Sequence, residues 1–458
     1  MTEKVNLNPV KKIIIIAANI LFCMWHGAVG CLILVSAAII SYGIALIIEK
    51  KKLSFGLVGP FIGIIAILLM YLYHLSGAYY PIGFSFYMLM AVGYIIDVSN
   101  EKTPAVHSFP DYFLSLGFFP ILVSGPIEKI QDLSVQFKSI GDKKITSERF
   151  VYSFLMILWG LVEKVAISNI MGIIVTEVFG NYTAYTWPAV VFATVLFAFQ
   201  LYADFDGYSN IAFGFAGMIG IDIHRNFKQP YLSESVKEFW RRWHISLSTW
   251  LKDYVYIPLG GSRKGIVRKY INLMVTFAVS GLWHGTGLNF LVWGLLHGIF
   301  QVIEDMLTRG HSIDRTTGGE TVIKTTSQKL RTVSVKKIFH MILTFIAVDF
   351  AWFFFRAGSM RDALNMLAMF GRGTSFSISG LIRGVGLDVF NLIYMMVPFI
   401  VLIVTDVLRK RGSNIYKTYA KLPVVIRWIL CYAAMFWIIF SWLSVRKFNI
   451  SGFIYGNF

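Results

Sequence analysis

The chain has 458 residues, of which 56% are hydrophobic and only 15% are charged. A soluble globular protein carries nearer a quarter charged residues, so this composition argues against an ordinary soluble enzyme. The net charge of +17 does not indicate a nucleic-acid partner, because the basic clusters lie between long apolar runs. Basic loops of this kind mark the cytoplasmic side of a membrane protein and attract anionic lipid headgroups.

Apolar runs of spanning length recur along the chain and predict an all-α polytopic membrane protein with about ten transmembrane helices. The predicted spans are residues 13–25, 29–48, 55–73, 81–98, 151–175, 189–203, 288–302, 338–355, 389–407 and 425–445. We expect one membrane-embedded domain over residues 1–458, with a polar cytoplasmic loop at 305–337. Lys11, Lys12 and Lys50 place both ends of the first hairpin inside, with Gly27 outside.

Two segments are too irregular or too amphipathic to span. Residues 112–127 are apolar but rich in glycine and proline, and they end at Ser124-Gly-Pro126, which predicts a re-entrant segment. Residues 221–270 carry six aromatic residues from Phe239 to Tyr256. Such a segment lies along the interface, with its Trp and Tyr rings at headgroup depth, or folds back into the protein.

Two histidines stand out as candidates for chemistry. His244 lies in Phe239-Trp-Arg-Arg-Trp-His244, and His284 lies in Gly281-Leu-Trp-His-Gly285, within apolar sequence. Burial disfavours the cationic imidazole, which leaves a neutral ring able to accept a proton. The alternatives are a packing histidine satisfied by a neighbouring helix at His284, and an interfacial helix without catalytic duty at His244. For His297 we favour a packing or supporting role.

Other polar residues are candidates for binding. Arg241 and Arg242 suit a phosphate, while Asp204 and Asp206 end an apolar run and could orient a histidine or an arginine. The simpler interpretation of both carboxylates is a helix end at the interface. The sequence has no phosphate-binding loop, no zinc motif and no cysteine pair with metal-ligand spacing, so no metal is expected.

Taken together, the motifs resemble those of the membrane-bound O-acyltransferase superfamily, in particular the branch of alginate and peptidoglycan O-acetylases, with teichoic-acid D-alanyl transfer proteins as cousins. The motifs that carry the resemblance, in chain order, are Pro81–Tyr87 with Tyr94–Asp97, Phe118–Pro120 with Ser124–Ile127, Gly207–Ser209, Asn226-Phe227 with Pro230–Leu232, Phe239–Gly261, Gly281–Gly285 and Trp352–Ala357. The chain begins near what resembles the family's second helix, so an earlier span is expected to be absent.

The resemblance implies a set of site residues. His284 matches the invariant histidine of the superfamily and His244 a second polar position, so both are predicted to be catalytic. Contacts to substrate are predicted at Arg241, Arg242, Trp240, Trp243, Ser246, Trp283, Asp204 and Asp206, and contacts to the charged carrier portion of the donor at Arg263 and Lys264. The two histidines are expected to converge in a channel through the helical bundle.

The resemblance also implies an activity: transfer of an acetyl group in a bacterial cytoplasmic membrane. The donor is expected to be acetyl-CoA, a co-substrate rather than a tightly bound cofactor. The acceptor is an extracellular polysaccharide or an SGNH-type acetyl-relay partner. One alternative is D-alanyl transfer from a phosphopantetheine carrier protein to teichoic acid, although Gly260–Arg263 resembles the acetylating branch more. A second alternative, from another class, is a transporter for a lipid-linked sugar with the histidines as a proton relay.

Overall fold

The computed structural model describes residues 8–55, 59, 61–313, 335–371 and 373–448. Over these ranges the chain is helical and contains no β-strand. The helices, numbered in chain order, are α1 (Asn8–Trp25), α2 (Ala28–Lys51), α3 (Ile62–Leu75), α4 (Phe84–Ser99), α5 (Phe109–Leu116), α6 (Phe119–Leu122), α7 (Ile130–Lys138), α8 (Ser147–Val162), α9 (Asn169–Gly180), α10 (Trp187–Met218), α11 (Val236–Trp240), α12 (Ile245–Leu251), α13 (Ile266–His284), α14 (Leu288–Ile313), α15 (Val335–Arg356), α16 (Met360–Ala368), α17 (Ile378–Gly384), α18 (Val389–Lys410), α19 (Ile415–Ala420) and α20 (Val424–Val445).

The all-α polytopic architecture predicted from hydropathy is confirmed. Seven helical stretches among the described residues are long and apolar enough to cross a membrane, and α3 and α4 are shorter apolar helices. The seven are Ala28–Lys51, Ser147–Gly180, Trp187–Met218, Leu288–Thr308, Val335–Arg356, Val389–Lys410 and Val424–Val445. Each of the ten predicted spans coincides with a helix, although α1, α3 and α4 do not reach the length and apolarity of the seven.

Several helix ends and one additional helix differ from the prediction. Helix α10 runs on to Met218 instead of ending near Ala203, and α13 is a helix of 19 residues where no span was predicted. Helix α14 continues to Ile313 and α15 begins at Val335, so both ends of the polar loop predicted at 305–337 are helical. Residues 314–334 of that predicted loop lie outside the described residues.

The segment predicted to be re-entrant consists of two short helices, α5 and α6, neither of which is long enough to span. Ser108 caps α5 by accepting a hydrogen bond from the backbone N–H of Asp111, and Pro110 lies in the first turn, where its missing N–H costs nothing. The following residues, 121–122 and 124–127, are buried. This stretch therefore folds into the protein, as a non-helical segment at membrane depth must.

The aromatic segment after α10 also folds into the protein. Its short helices α11 and α12 bury Trp240, Trp243 and Trp250, and a π-helical turn at Lys252–Tyr256 buries Tyr254. Of the two predicted arrangements, the structure therefore shows the one in which the segment folds back into the protein. The rings pack inside the protein because the surrounding helices supply apolar partners, and the indole N–H of Trp250 donates 2.8 Å to the carbonyl of Leu89.

Two apolar cores result from this packing. The first is built mainly from α1–α7, α12 and α13 and includes Phe86 and Trp283. The second is built mainly from α9–α11, α14, α15 and α18 and includes Phe205, Trp293 and Phe355. Side chains that lie where the two cores meet are therefore surrounded by aromatic rings of both cores.

Candidate active site

His284 is the last residue of α13 and lies where the two cores meet. The side chain is buried, and its ring lies 4.7 Å from Trp283, 4.9 Å from Trp293 and 5.3 Å from Phe355, measured between ring centroids. Gly281 lets the backbone of Phe290 in α14 approach, since a side-chain carbon at Gly281 would lie 2.5 Å from the Phe290 carbonyl oxygen. Gly281 thus allows α13 and α14 to pack closely beside His284.

His244 lies between α11 and α12 in a left-handed backbone conformation, with φ 43° and ψ 55°. Such a conformation is uncommon outside glycine and is often found at functional sites. The buried ring lies edge-on to Phe205 with centroids 4.6 Å apart, and 6.1 Å from Trp283. The indole of Trp283 therefore contacts both histidines, which places the two rings in one enclosed aromatic environment.

Three of the sequence motifs meet at the residue two positions after His244. The hydroxyl of Ser246 donates 2.7 Å to the side-chain oxygen of Asn226 and accepts 3.0 Å from the backbone N–H of Ile127. The backbone N–H of Ile245 donates 3.0 Å to the carbonyl of Asn226. These hydrogen bonds fix the turn that carries His244 and give Ser246 a structural role beside its predicted contact with substrate.

A cavity of about 280 Å³ lies beside Ser246, between α4, α7 and α12. Its lining is mixed in charge, with Lys129, Arg225 and Lys228 on the basic side and Glu128 and Asp132 among the acidic residues. Its few convergent polar groups are typical of a small-molecule site, and its volume is just below the usual range of about 300–1,000 Å³. This cavity leads from a polar rim toward the turn of His244.

One ion pair organises the rim. The carboxylate of Glu128 accepts from the Nδ1 position of His224 at 2.7 Å and from the backbone N–H of the same residue. Its hydrogen bond and negative charge raise the pKa of His224 above the ordinary value. Glu128 is buried while the His224 side chain is 72% exposed, so the pair joins the cavity wall to the surface.

Comparison with known proteins gives a consistent assignment. Residues 97–316 match the model of MBOAT, the membrane-bound O-acyltransferase family, and this range contains both histidines and the cavity. This chain carries a membrane-bound O-acyltransferase domain. Together with its seven candidate spans, the domain identifies a multi-pass membrane protein, and its bacterial relatives place it in the cytoplasmic membrane.

Curated relatives extend the similarity beyond that domain. The chain is 37% identical to a probable alginate O-acetylase, AlgI, of Pseudomonas fluorescens, over 68% of this chain and 59% of that protein. It is 30% identical to a peptidoglycan O-acetyltransferase of Helicobacter pylori, over 63% and 56% of the two chains. A teichoic acid D-alanyltransferase of Streptococcus thermophilus is 28% identical over 50% and 57%. The chain thus spans less than two thirds of the length of each of these relatives.

The basic residues predicted to meet the donor lie at the surface of the MBOAT domain. Arg241 is exposed, and Arg242 forms an ion pair of 2.6 Å with Glu238. Arg263 and Lys264 are exposed on the loop before α13. None of these four lines the cavity beside Ser246, so their contact with a donor stays a prediction.

The structure adds basic residues that the sequence prediction missed. Arg225, Lys228 and Lys129 line the cavity beside Ser246. The sequence does contain a signal for two of these residues, because Arg225 and Lys228 flank the Asn226-Phe227 motif. Only the folding of residues 221–229 against α7 and α12 brings these charges together.

The tryptophans predicted to contact substrate divide into two groups. Trp283 lies between the histidines, as described. Trp240 and Trp243 belong to the second core. The ring centroid of Trp240 lies 5.9 Å from that of Trp293, and the ring centroid of Trp243 lies 5.1 Å from that of Trp352. These two indoles therefore support the walls of the site, and a direct contact with substrate stays a prediction for them.

The two carboxylates of α10 have different surroundings. Asp204 is fully buried, accepts 3.2 Å from the hydroxyl of Ser168 and forms an ion pair of 2.5 Å with Lys164. The charged partner observed for Asp204 is thus a lysine, whereas an arginine or a histidine was predicted. Glu163 accepts 2.8 Å from Asn210. Asp206, two residues further along α10, points to a different side of the helix and lines a second cavity.

His297 in α14 is a packing residue, consistent with the interpretation favoured above. Its ring is fully buried and lies 5.0 Å from Trp240, 5.2 Å from Trp293 and 6.0 Å from Trp352. Within the described ranges neither ring nitrogen has a hydrogen-bond partner. The ring therefore fills space between tryptophans behind His284.

Proposed function

We propose that this chain transfers an acetyl group from cytoplasmic acetyl-CoA to a hydroxyl group on an extracellular polysaccharide or on an acetyl-relay partner. The observation that carries the proposal is the position of Trp283, whose ring contacts both His244 and His284 within the MBOAT domain. Two imidazoles in one water-poor environment suit a proton transfer coupled to acyl transfer.

In this proposal His284 acts as general base. It takes the proton of the acceptor hydroxyl as the oxygen attacks the thioester carbonyl carbon. The tetrahedral intermediate then collapses, the carbon–sulfur bond breaks, and the proton leaves with the thiol. A ring N–H of His244 stabilises the developing oxyanion, an effect worth about 3–4 kcal/mol where a donor is well placed.

The donor is proposed to enter through the cavity beside Ser246. Lys129, Arg225 and Lys228 supply basic groups for the phosphates of the carrier, beside the three acidic residues that also line the cavity. The positive-inside rule places this rim in the cytoplasm, because α4 starts outside and ends next to it. No tightly bound cofactor and no metal are required by this chemistry.

The acceptor is proposed to arrive from the opposite side, near the loop between α3 and α4. Tyr73, His74 and Phe84 surround Tyr80, with ring centroids 6.0, 5.0 and 5.2 Å away. The hydroxyl of Tyr71 donates 3.4 Å to the carbonyl of Thr286, two residues after His284. Aromatic clusters offer flat apolar faces on which the C–H faces of a sugar ring can stack, which fits a polysaccharide acceptor.

Acetyl transfer is preferred to D-alanyl transfer because the relatives at 37% and 30% identity are named as O-acetylases, whereas the D-alanyltransferase is at 28%. Purified protein supplied with labelled acetyl-CoA or with a D-alanyl carrier protein distinguishes the two donors. Transfer from the carrier alone would reverse the preference.

The decisive test of the catalytic assignment is His284→Gln, which keeps the size of the side chain but removes its basicity. We expect acetyl transfer to fall by about 10²–10⁴-fold, the usual contribution of general-base catalysis. His340→Gln, an exposed histidine on α15, is the matched control and should leave the rate unchanged. Full activity of a folded His284→Gln protein would remove His284 from the mechanism.

A further inference from the structure

A second cavity, of about 860 Å³, lies between α8, α10, α18 and α20, away from the two histidines. Part of its wall is made by Val397, Val401 and Leu430, each of which is also more than 40% exposed on the outer surface of the helical bundle. A cavity whose wall residues face the bilayer is open to lipid from the side. Its volume is within the range of small-molecule sites.

The two ends of this cavity differ in chemistry. One end is apolar and is lined by Pro398, Ala434 and Trp437, where the small side chain of Ala434 leaves room between α18 and α20. The other end carries Arg225 and Arg409. An occupant that matches both ends has a polar head and an apolar tail.

The charge at the polar end is positive. Arg225, Lys228 and Arg409 line it, and Asp206 is the one acidic residue among the lining residues. Arg225 is held by the hydroxyl of Tyr152 and by the ring of Phe213, 4.4 Å away. The Arg409 guanidinium forms no hydrogen bond or ion pair with any part of the chain that the structure describes. It is half-buried, and its charge acts at longer range on the carboxylates of Asp206, Glu163 and Asp406, so a bound phosphate would supply the direct contact that it lacks.

The position of the polar end indicates the leaflet. Helix α18 ends in Arg409 and Lys410 and is followed by Arg411, and α20 begins near Arg427. By the positive-inside rule this side is cytoplasmic. Basic pockets between transmembrane helices on the cytoplasmic side are typical binding sites for anionic lipid headgroups.

We propose that this cavity binds an anionic phospholipid of the cytoplasmic leaflet. The phosphate lies at Arg409 and Arg225, and an acyl chain lies along Leu430 and Ala434. The site shares Arg225 and Lys228 with the cavity beside Ser246, but Arg409, Leu430 and Ala434 line this cavity alone, so lipid binding can be tested separately from acetyl transfer. Lipid binding can therefore be present whether or not the proposed activity is correct.

The test is native mass spectrometry of the full chain in detergent, titrated with phosphatidylglycerol or with phosphatidylcholine of the same acyl chains. We expect phosphatidylglycerol to bind at least about fivefold more tightly, the effect of roughly one favourable charge contact. Arg409→Gln should reduce this preference about fivefold. Arg411→Gln, which removes an exposed charge that does not line the cavity, is the matched control and should leave it unchanged.

A second pair of variants tests the apolar end. Ala434→Trp fills the space for the acyl chain and should remove binding, whereas Val425→Trp, on the exposed face of the same helix, should not. This pair decides the question if Arg409→Gln fails to fold. Equal binding of the two lipids, or an unchanged affinity in both Arg409→Gln and Ala434→Trp, would overturn the proposal.

Discussion

The hydroxyl of Ser246 donates a hydrogen bond of 2.7 Å to the side-chain oxygen of Asn226, and both residues are buried. The same hydroxyl accepts from the backbone of Ile127, so one small side chain joins three segments that are far apart in sequence. His244 lies two residues before this junction. Its placement therefore depends on contacts that it does not make itself.

Ser246→Ala should destabilise the protein and slow the reaction. The substitution leaves buried polar groups of Asn226 and Ile127 without their partner, which costs about 1–3 kcal/mol. We expect a lower midpoint of thermal unfolding in detergent together with a lower kcat. Ser248→Ala removes a hydroxyl with only a long contact of 3.4 Å, to the carbonyl of Trp243, and should change neither quantity. Equal effects of the two substitutions would contradict the role given to Ser246.

Glycine at position 244 should give a more stable protein than alanine at that position. The left-handed backbone of His244, with φ 43°, costs a residue with a side chain about 1–2 kcal/mol, and glycine avoids this cost. Both variants lack the imidazole and should be inactive, so the difference between their unfolding midpoints reports the backbone alone.

The control for this comparison is Thr249, an exposed residue inside helix α12. At position 249 the glycine variant should be less stable than the alanine variant, because glycine is about 0.5–1 kcal/mol less favourable than alanine in a helix. A His244→Gly protein that is less stable than His244→Ala would show that the turn relaxes when the ring is removed.

The ion pair of His224 with Glu128 should make stability depend on pH. The pKa of His224 is raised in the folded protein, so protonated His224 contributes stability that is fully present below the ordinary imidazole value. That contribution is lost as pH rises through the higher folded value. The difference in unfolding midpoint between the unmodified protein and His224→Gln should therefore shrink from about pH 6 to pH 9.

Glu128→Gln supplies the control for the pH series. In that background the effect of His224→Gln should no longer change with pH, because the charge that raises the pKa is gone. A pH-dependent difference that persists without the carboxylate would assign it to another group.

Tyr80→Ala should weaken binding of the acceptor without affecting the donor. Stacking on an aromatic ring contributes about 0.5–1.5 kcal/mol, so KM for a saccharide acceptor should rise about two- to tenfold. KM for acetyl-CoA should stay the same, since the donor is proposed to enter from the other side. Tyr185→Ala, on the loop between α9 and α10, is the control. A change in the KM of the donor alone would contradict the proposed direction of entry.

Hydropathy predicted most of the helices because a spanning segment needs a long apolar run, and such runs are visible without knowing their partners. It missed α13, whose first turn carries Arg268 and Lys269 and whose interior includes Asn272 and Ser280. Asn272 is satisfied by donating to the carbonyls of Leu259 and Gly261, so a polar residue is tolerated inside the protein. That compensation depends on tertiary structure and cannot be seen in a composition window.

The candidate site was predicted in part for a similar reason. The motifs that contain His244 and His284 are continuous in sequence, and the structure places both rings against Trp283. The pair of Glu128 and His224 joins residues 96 positions apart, which no local pattern indicates. Arg241 and Arg242 were predicted because they lie beside His244 in the sequence. Arg225 was missed because its role depends on the cavity around it, which only the fold creates.

The buried pair of Lys164 and Asp204 provides the last prediction. Lys164 lies in a π-helical turn, Glu163–Ser168, and this turn packs against α10, where Asp204 is fully buried. Removing one partner of a buried pair leaves the other charge uncompensated and typically costs 3–5 kcal/mol. Lys164→Met should therefore lower the unfolding midpoint strongly.

Asp222→Asn, which breaks the exposed pair with Arg149 at 2.9 Å, should cost no more than about 1 kcal/mol. The double variant Lys164→Met with Asp204→Leu should recover part of the loss, because no buried charge is left alone. Failure of the double variant to exceed Lys164→Met would mean that Asp204 is needed for its hydrogen bond from Ser168 rather than for its charge.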